Sequence, residues 1–461
     1  MDYDVLILGG ELIGCAIAYE LSKYNLNIAL IEKNYDIADE VNLGNTSMIF
    51  NGVENKDENT AQLEYEGNKE IEQVAKKFSV PYRRMPSIIM CDEENYIVDS
   101  YKNLEDKYRD SCRLIGNSEL NKIEPGIDCK NSKWALYINN TGIISPYDLA
   151  ISYGEVAFDN NVNFKLEEEV IDITRENKGF RVSTNKNRFT CKIVINTTRR
   201  HNYSIDTSYN TKKKDTDTRI KFFTTQKDIQ YMYSNLIFSI KNGRYMVALP
   251  NLDDGVVGAL ITKDELDNSM VFHELKDILP GVPNSYIKSF YESNHYDEPY
   301  HIIKENDYGY IQVSDKHYAI ATMAPAIAKK VVEYVAESIH CSAKKDFLDK
   351  RRDFYRFRDM DDKQRNEIIN VNPKYGKVIC HCNMITEGEI EDAIRRPLGA
   401  RTLEGVKRRT GAAFGKCEGS RCLNKILRIL ARETNKPLTS IVKDSKNSNV
   451  LLNRIKEFDS M

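Results

Sequence analysis

The sequence predicts an α/β fold in three parts: a parallel-sheet domain, an antiparallel-sheet domain interleaved with it, and a small helical C-terminal domain. Three observations carry that expectation. The chain opens with a strand–helix–strand pattern around a glycine turn, residues from about 200 to 305 hold Tyr- and Val-rich strands between polar turns, and four of the ten cysteines sit close together near the C-terminus.

Taken in order, Asp4-Val-Leu-Ile-Leu-Gly9 is a short apolar run ending in glycines, the pattern of a buried parallel strand. A helical pattern over Leu12–Tyr24 and a second strand, Asn27–Glu32, complete the βαβ opening of a Rossmann-like domain. Ser145 and Pro146 suit the N-cap and first position of a helix. Gly179–Ser183 and Arg188–Asn196 alternate as strands, and Ala324–Val335 has the pattern of a closing helix. The charged stretch Lys344–Glu367 is expected to be a connector with helical character. Near the C-terminus, Thr386 and Glu389 form a capping box, Thr402 is placed to open a second helix, and Leu423, Ile426, Leu427 and Leu430 line one face of a third. The expected boundaries are 1–343 for the first body, with the antiparallel part at about 75–145 and 200–305, then a linker at 344–371, the cysteine domain at 372–440 and a tail at 441–461.

Composition narrows the classes. At 461 residues, 41% hydrophobic and 29% charged, the chain is long enough for about two or three domains with substantial cores. No basic-then-apolar leader pattern opens it, and no apolar stretch approaches the roughly 18 residues of a membrane span. Clustered rather than scattered cysteines argue against a disulfide scaffold, so a cytoplasmic location is expected. The net charge of −3 is unevenly spread: residues 394–432 carry eleven Lys/Arg against two Asp/Glu, leaving 55 against 67 elsewhere. Because this basic block surrounds the cysteines, we expect it to offset an anionic centre, or to meet an acidic redox partner or the acidic body of the chain, rather than to bind nucleic acid. A plain solvated helix face is the alternative.

Cys380 and Cys382 form C-x-C, and after 34 residues Cys417 and Cys422 form C-x4-C. Four thiolates in such a set serve either an iron–sulfur cluster or a structural zinc, and the spacing alone suits both. Gly411, Gly415 and Gly419 give a backbone able to approach sulfur closely. His381 lies between two candidate ligands and is expected to be an exposed loop residue. The other six cysteines, Cys15 among them, are expected to be packing residues.

The wider segment, Glu389-Ile-Glu-Asp-Ala-Ile-Arg-Arg-Pro-Leu-Gly-Ala-Arg-Thr-Leu-Glu-Gly-Val-Lys-Arg-Arg-Thr410, resembles the [2Fe–2S] domain of the bacterioferritin-associated ferredoxin type. In particular it looks like the version fused to bacterial FAD-dependent oxidoreductases of the anaerobic glycerol-3-phosphate dehydrogenase kind, which are D-amino-acid-oxidase-like. The resemblance covers nearly the whole chain. It implies a [2Fe–2S] cluster on Cys380, Cys382, Cys417 and Cys422, with FAD on a Rossmann-like domain and a small hydroxyl-bearing substrate. Gly9, Gly10, Gly14 and Glu32 stand where that family binds FAD.

Several flavin-facing positions depart from the family pattern. The turn Gly9-Gly10-Glu11-Leu12-Ile13-Gly14 has Glu11 at the second glycine of G-x-G-x-x-G, the one that admits pyrophosphate. Arg199 replaces a glycine after the Arg188–Asn196 strand, and residues 314–323 contain no glycine. Glu292-Ser293-Asn294 stands where a Gly-x-Arg helps hold an anionic substrate, and Phe50 replaces a histidine near the flavin. Glu11 and Arg199 together suggest an internal ion pair, with Arg200 as the other candidate cation. Two functions follow as expectations. One is an FAD/[2Fe–2S] oxidoreductase, for which His295 and His301 are weak candidates as base and no catalytic residue is assigned. The other is a flavin-free paralogue serving as an iron–sulfur electron-transfer or regulatory subunit.

Overall fold

Strand β1 (Tyr3–Leu8) has no polar alternation, and Val5 to Leu8 are fully buried because the strand lies inside an eight-stranded sheet covered on both faces. The structure, a computed structural model, describes residues 1–39, 47–53, 55, 57–127, 133–198, 203–205, 219–226, 229–252, 255–294, 300, 302–304, 309–313 and 317–452. Helix α1 (Leu12–Leu21) carries the chain across to β2 (Ile28–Ile31), which pairs parallel with β1. Arg188–Asn196 pairs parallel on the other side of β1 and is itself flanked by Gly179–Thr184 and Tyr310–Val313. Asn163–Lys165 lies beyond β2. The glycine turn after β1 therefore emerges at the carboxyl edge of the parallel strands, where ligands bind in such sheets.

Helix α2 (Glu58–Lys77) packs on the closing helix Ile320–Ser338, which also packs on α1. A Cβ on Gly67 of α2 would lie 1.9 Å from the Thr322 carbonyl oxygen, so only glycine permits that approach. Ser145 caps the Pro146–Asp159 helix through the Asp148 amide, with Pro146 in its first turn.

The second eight-stranded sheet runs in the order Ile287–Asn294, Arg219–Thr225, Val256–Thr262, Arg244–Pro250, Leu236–Lys241, Ser87–Cys91, Trp134–Ile138 and Cys112–Gly116. It is antiparallel apart from the parallel pair Leu236–Lys241 and Ser87–Cys91, which joins its early and late strands.

The helical character expected of the connector is present in part: a 3-10 turn at Phe357–Asp359 and an α-helix at Asp362–Val371. Residues before these run as an irregular strap because their charges are drawn to separate partners on the first body. Asp349 accepts from the Tyr19 hydroxyl at 2.7 Å and pairs with Lys77. Arg351 is buried between Glu155 at 2.6 Å and Asp148 at 3.1 Å.

The C-terminal unit holds a two-stranded hairpin, Val378–Cys380 with Ile385–Thr386, and helices Glu387–Arg395, Leu403–Thr410 and Leu423–Thr434. The capping box at Thr386 and Glu389 forms, and Thr402 caps the second helix. Ile390, Ile394, Leu403, Val406, Ile426 and Leu430 close a separate core. Among the described residues no helix is long and apolar enough to cross a membrane.

Candidate functional site

The turn after β1 keeps its fold-determining glycines. A Cβ on Gly14 would lie 2.0 Å from the Gly9 carbonyl oxygen, so the first turn of α1 can settle against the strand only with glycine there. Glu32, buried at the end of β2, accepts from the Gly10 amide at 2.6 Å and the Asn34 amide at 2.8 Å. Gly9, Gly10, Gly14 and Glu32 are thus brought together at the carboxyl ends of β1 and β2, with the Glu32 carboxylate held by the Gly10 and Asn34 amides. This end of the site fits the adenosine half of FAD.

The diphosphate end carries a carboxylate of its own. Glu11 is the N-cap residue of α1, where the helix dipole favours negative charge, and its Oε2 is buried. Arg199 and Arg200, expected as its partners, lie outside the described residues. A described cation comes from the C-terminal unit. Arg408 on Leu403–Thr410 donates through Nη2 to Asp39 Oδ1 at 2.6 Å and stands 3.7 Å from Asp36 Oδ2. Its neighbour Arg409 grips Asp36 with both terminal nitrogens, at 2.6 and 2.7 Å. Burial opposes the Arg408 charge, but Asp36 and Asp39, with Glu11 as a further contributor, more than offset it and hold its pKa above the ordinary arginine value. Burial pushes the Cys15 thiol well up, with Glu11, Glu32 and Asp36 adding to it.

Across from this turn, Phe50 is buried against Tyr318, with ring centroids 4.9 Å apart, and its amide donates to Thr322 Oγ1. Glu64, on the packed face of α2, accepts from Asn55 Nδ2 at 2.9 Å and is fully buried. Burial raises its pKa from 4.5 to about 7, against the pull of hydrogen bonds from Asn55, Tyr318 and Gly52. Sequence reading missed this group, although Ala61, Glu64, Gly67, Asn68 and Ile71 share the helical spacing of one face. Glu292 lies beside Lys221 at 3.3 Å and Arg219 at 3.8 Å on the adjacent strand, so its charge is matched within the sheet. His295, His301 and residues 314–316 lie outside the described residues.

The four C-terminal cysteines converge. Cys382 Sγ and Cys417 Sγ are 3.5 Å apart, and the Cys422 thiol is in hydrogen-bond contact with Cys380. The described sulfur contacts join Cys382 with Cys417 and Cys380 with Cys422, a grouping that a two-iron centre with two thiolates per iron can take. Among the described residues no group of three or more His, Cys, Asp or Glu side chains is set to hold a single metal ion. A Cβ on Gly415 would lie 2.2 Å from Cys382 Cβ, so glycine allows the two cysteine loops to close on each other. The Arg421 amide, followed by Cys382 and the Gly419 amide, lowers the Cys417 pKa to about 7; burial and then Cys380 raise that of Cys422 to about 12. Amides aimed at sulfur are what a thiolate-bound cluster uses. Cys380 and Cys422 are buried, while Cys382 and His381 are exposed.

Much of the basic block is engaged inside the chain. Arg396 reaches Glu155 at 3.1 Å, Arg408 and Arg409 take Asp36 and Asp39, and Arg432 binds Glu387 at 2.8 Å. Arg421, Lys425 and Arg428 are exposed beside the cysteine loop. The acidic body of the chain is therefore one target of the block.

Comparison with known proteins agrees with this geometry. Residues 4–265 match the family described as FAD dependent oxidoreductase, and residues 378–432 match the BFD-like [2Fe-2S] binding domain. A glycerol 3-phosphate dehydrogenase of Caloramator mitchellensis is 30% identical over 477 residues, 97% of this chain and 98% of that one. A glycerol 3-phosphate oxidase of Mycoplasma pneumoniae is 27% identical over 183 residues, 38% of this chain and 47% of its own. Among solved structures, FAD-bound L-alpha-glycerophosphate oxidase from Mycoplasma pneumoniae superposes with a TM-score of 0.63 at 21% identity, covering 76% of this chain and 98% of that one. That likeness shows the fold.

Glu64 gives a measurable pH dependence. Its folded pKa of about 7 exceeds the ordinary 4.5, so the folded state retains a proton that the unfolded state has released, and stability falls as pH rises between those values. Glu64→Gln should match the parent at pH 5 and exceed it by about 2 kcal/mol at pH 8 in denaturant titrations. Equal stability differences at the two pH values would contradict a raised Glu64 pKa.

Proposed function

The chain belongs to the FAD-dependent oxidoreductase family, and on that premise we propose that it oxidises a small hydroxyl-bearing substrate of the glycerol 3-phosphate class. The observation that carries this reading is the similarity to a glycerol 3-phosphate dehydrogenase along 97% of the chain, a span that takes in both the nucleotide turn and the cysteine domain. It favours a flavin enzyme over a flavin-free scaffold. When bound, FAD accepts a hydride equivalent from such a substrate and a [2Fe–2S] cluster passes electrons on singly.

The chain's own residues have separate duties in this reading. Gly9, Gly10 and Gly14 bring the backbone of the turn to the dinucleotide, and Glu32, held by the Gly10 and Asn34 amides, takes the ribose hydroxyls. Cys380, Cys382, Cys417 and Cys422 hold the cluster, with the Arg421 and Gly419 amides on the Cys417 sulfur. We place the flavin body at 1–343 and the cluster domain at 372–440, joined by the 344–371 strap. The exposed cations Arg421, Lys425 and Arg428, beside exposed Cys382, suit docking of an acidic redox protein.

Anaerobically purified protein should release FAD on acid extraction, and sn-glycerol 3-phosphate should bleach its visible spectrum. Cys417→Ser should remove the cluster absorption while leaving the flavin in place. Protein without flavin, or flavin that neither glycerol 3-phosphate nor a 2-hydroxy acid reduces, would refute the assignment.

For the partner surface, reversing Arg421, Lys425 and Arg428 to Glu should lower kcat/KM for an acidic ferredoxin acceptor about tenfold at low ionic strength. Reduction of a small neutral dye should not change. An unchanged ferredoxin rate would contradict docking at this face.

A further inference from the structure

The cysteine loop of the cluster domain also meets the antiparallel sheet. Strand Ile287–Asn294 is the outermost strand of that sheet and pairs with Arg219–Thr225. A bulge breaks its register: Ser289 faces Thr224 and Ile287 faces Thr225, so Lys288 between them has no opposite residue. A bulge turns the side chain of its extra residue out of the regular alternation. Here the Lys288 Nζ ends on the cluster domain, donating to the Phe414 carbonyl oxygen at 3.2 Å and lying 5.8 Å from the centre of the Phe414 ring. Lys407, on the Leu403–Thr410 helix, places its own Nζ 4.9 Å from the same ring. Phe414 is thus held by one cation from each domain. A lysine on an edge strand deters edge-to-edge pairing by facing solvent. Lys288 instead is half-buried, against a carbonyl of another domain.

The loop that Lys288 reaches needs holding. Between the Leu403–Thr410 helix and Cys417, Gly411 and Ala413 both take left-handed backbone, at φ 76° and 64°. Glycine adopts that freely, but Ala413 has a Cβ and keeps such a conformation only where neighbouring contacts impose it. Two contacts bracket it. On one side Asn383, next to Cys382, donates through Nδ2 to the Gly411 carbonyl oxygen at 2.6 Å. On the other, Lys288 takes the Phe414 carbonyl, which belongs to the peptide group of Gly415. An added Cβ on Gly415 would stand 2.2 Å from Cys382 Cβ and 3.1 Å from its Sγ. Standard peptide dimensions then put the Lys288 ammonium within about 11 Å of the Cys382 sulfur.

We propose that Lys288 is a positioning residue of the cluster, supplied by the antiparallel sheet to hold the Gly411–Cys417 loop closed on Cys382 and to favour the reduced, more negative state of the centre. Net charge and the surroundings of the sulfurs set the potential of such a centre. The antiparallel-sheet domain therefore takes part in setting the potential at which the cysteine domain accepts electrons. This inference rests on the reading that Cys380, Cys382, Cys417 and Cys422 hold a [2Fe–2S] cluster.

Two readouts on the anaerobically purified full chain test it. One is the cluster midpoint potential, from a redox titration followed by electron paramagnetic resonance. The other is the rate of tryptic cleavage after Lys416 and Arg421, both exposed on the cysteine loop. Lys288→Gln should shift the reduction equilibrium about threefold toward the oxidised state, a fall of about 28 mV for one electron. It should also speed cleavage about threefold, because the loop opens more often. Lys288→Arg keeps the charge and a donor for the carbonyl, and should stay close to the parent in both. Either readout at the parental value in Lys288→Gln overturns the inference. Equal shifts in Lys288→Gln and Lys288→Arg also overturn it, since any change at the bulge would then disturb the loop whatever its charge. A parent chain with neither cluster absorption nor a [2Fe–2S] resonance on reduction would instead overturn the reading of the four cysteines as a cluster site, and the inference with it.

Discussion

The buried pairing of Arg408 and Arg409 with Asp36 and Asp39 is the interaction on which the arrangement of this molecule depends. It joins a helix of the cluster domain to the loop that covers the nucleotide turn, with partners 2.6 Å apart and little solvent. Buried ion pairs add little net stability against an apolar alternative, because desolvation offsets much of their attraction. Removing one partner is different: it strands a charge, at about 3–5 kcal/mol. Such a contact therefore selects one docked geometry over others.

A second buried node repeats the device. Arg351 from the strap and Arg396 from the cluster domain both reach Glu155 on the Pro146–Asp159 helix, and Arg351 also takes Asp148. Arg396 in turn donates to the Arg352 and Asp353 carbonyl oxygens of the strap. The strap and the cluster domain are thus anchored on the same helix. Two nodes on separate parts of the first body fix the orientation as well as the contact. A fixed orientation is what single-electron transfer between a flavin and a cluster needs, since neither centre has to wait for the domains to meet.

The chain patterns that specify local structure were legible in the sequence. Val5 to Leu8 are apolar without alternation and lie between two parallel partner strands; Ser145, Thr386 and Thr402 cap the helices that their spacing indicates. The convergence of Cys380, Cys382, Cys417 and Cys422 follows from C-x-C and C-x4-C on facing loops. Long-range charge pairing was not legible. Asp36 and Arg409 are 373 residues apart, and each alone has the composition of a solvated surface residue. Dense charge in the strap suggests helix, yet those charges bind separate partners and hold it extended. Glu64 shows the opposite case: its place on the packed face of α2 was present in the spacing, but only the fold shows how completely it is enclosed.

If the cluster domain is held on the flavin body by these two buried nodes, the full chain should unfold as one unit. Differential scanning calorimetry of the anaerobic holoprotein tests this directly. The account predicts a single transition whose calorimetric and van't Hoff enthalpies agree. Two resolved transitions, with the cluster absorption lost in one and the remaining structure in the other, would contradict it.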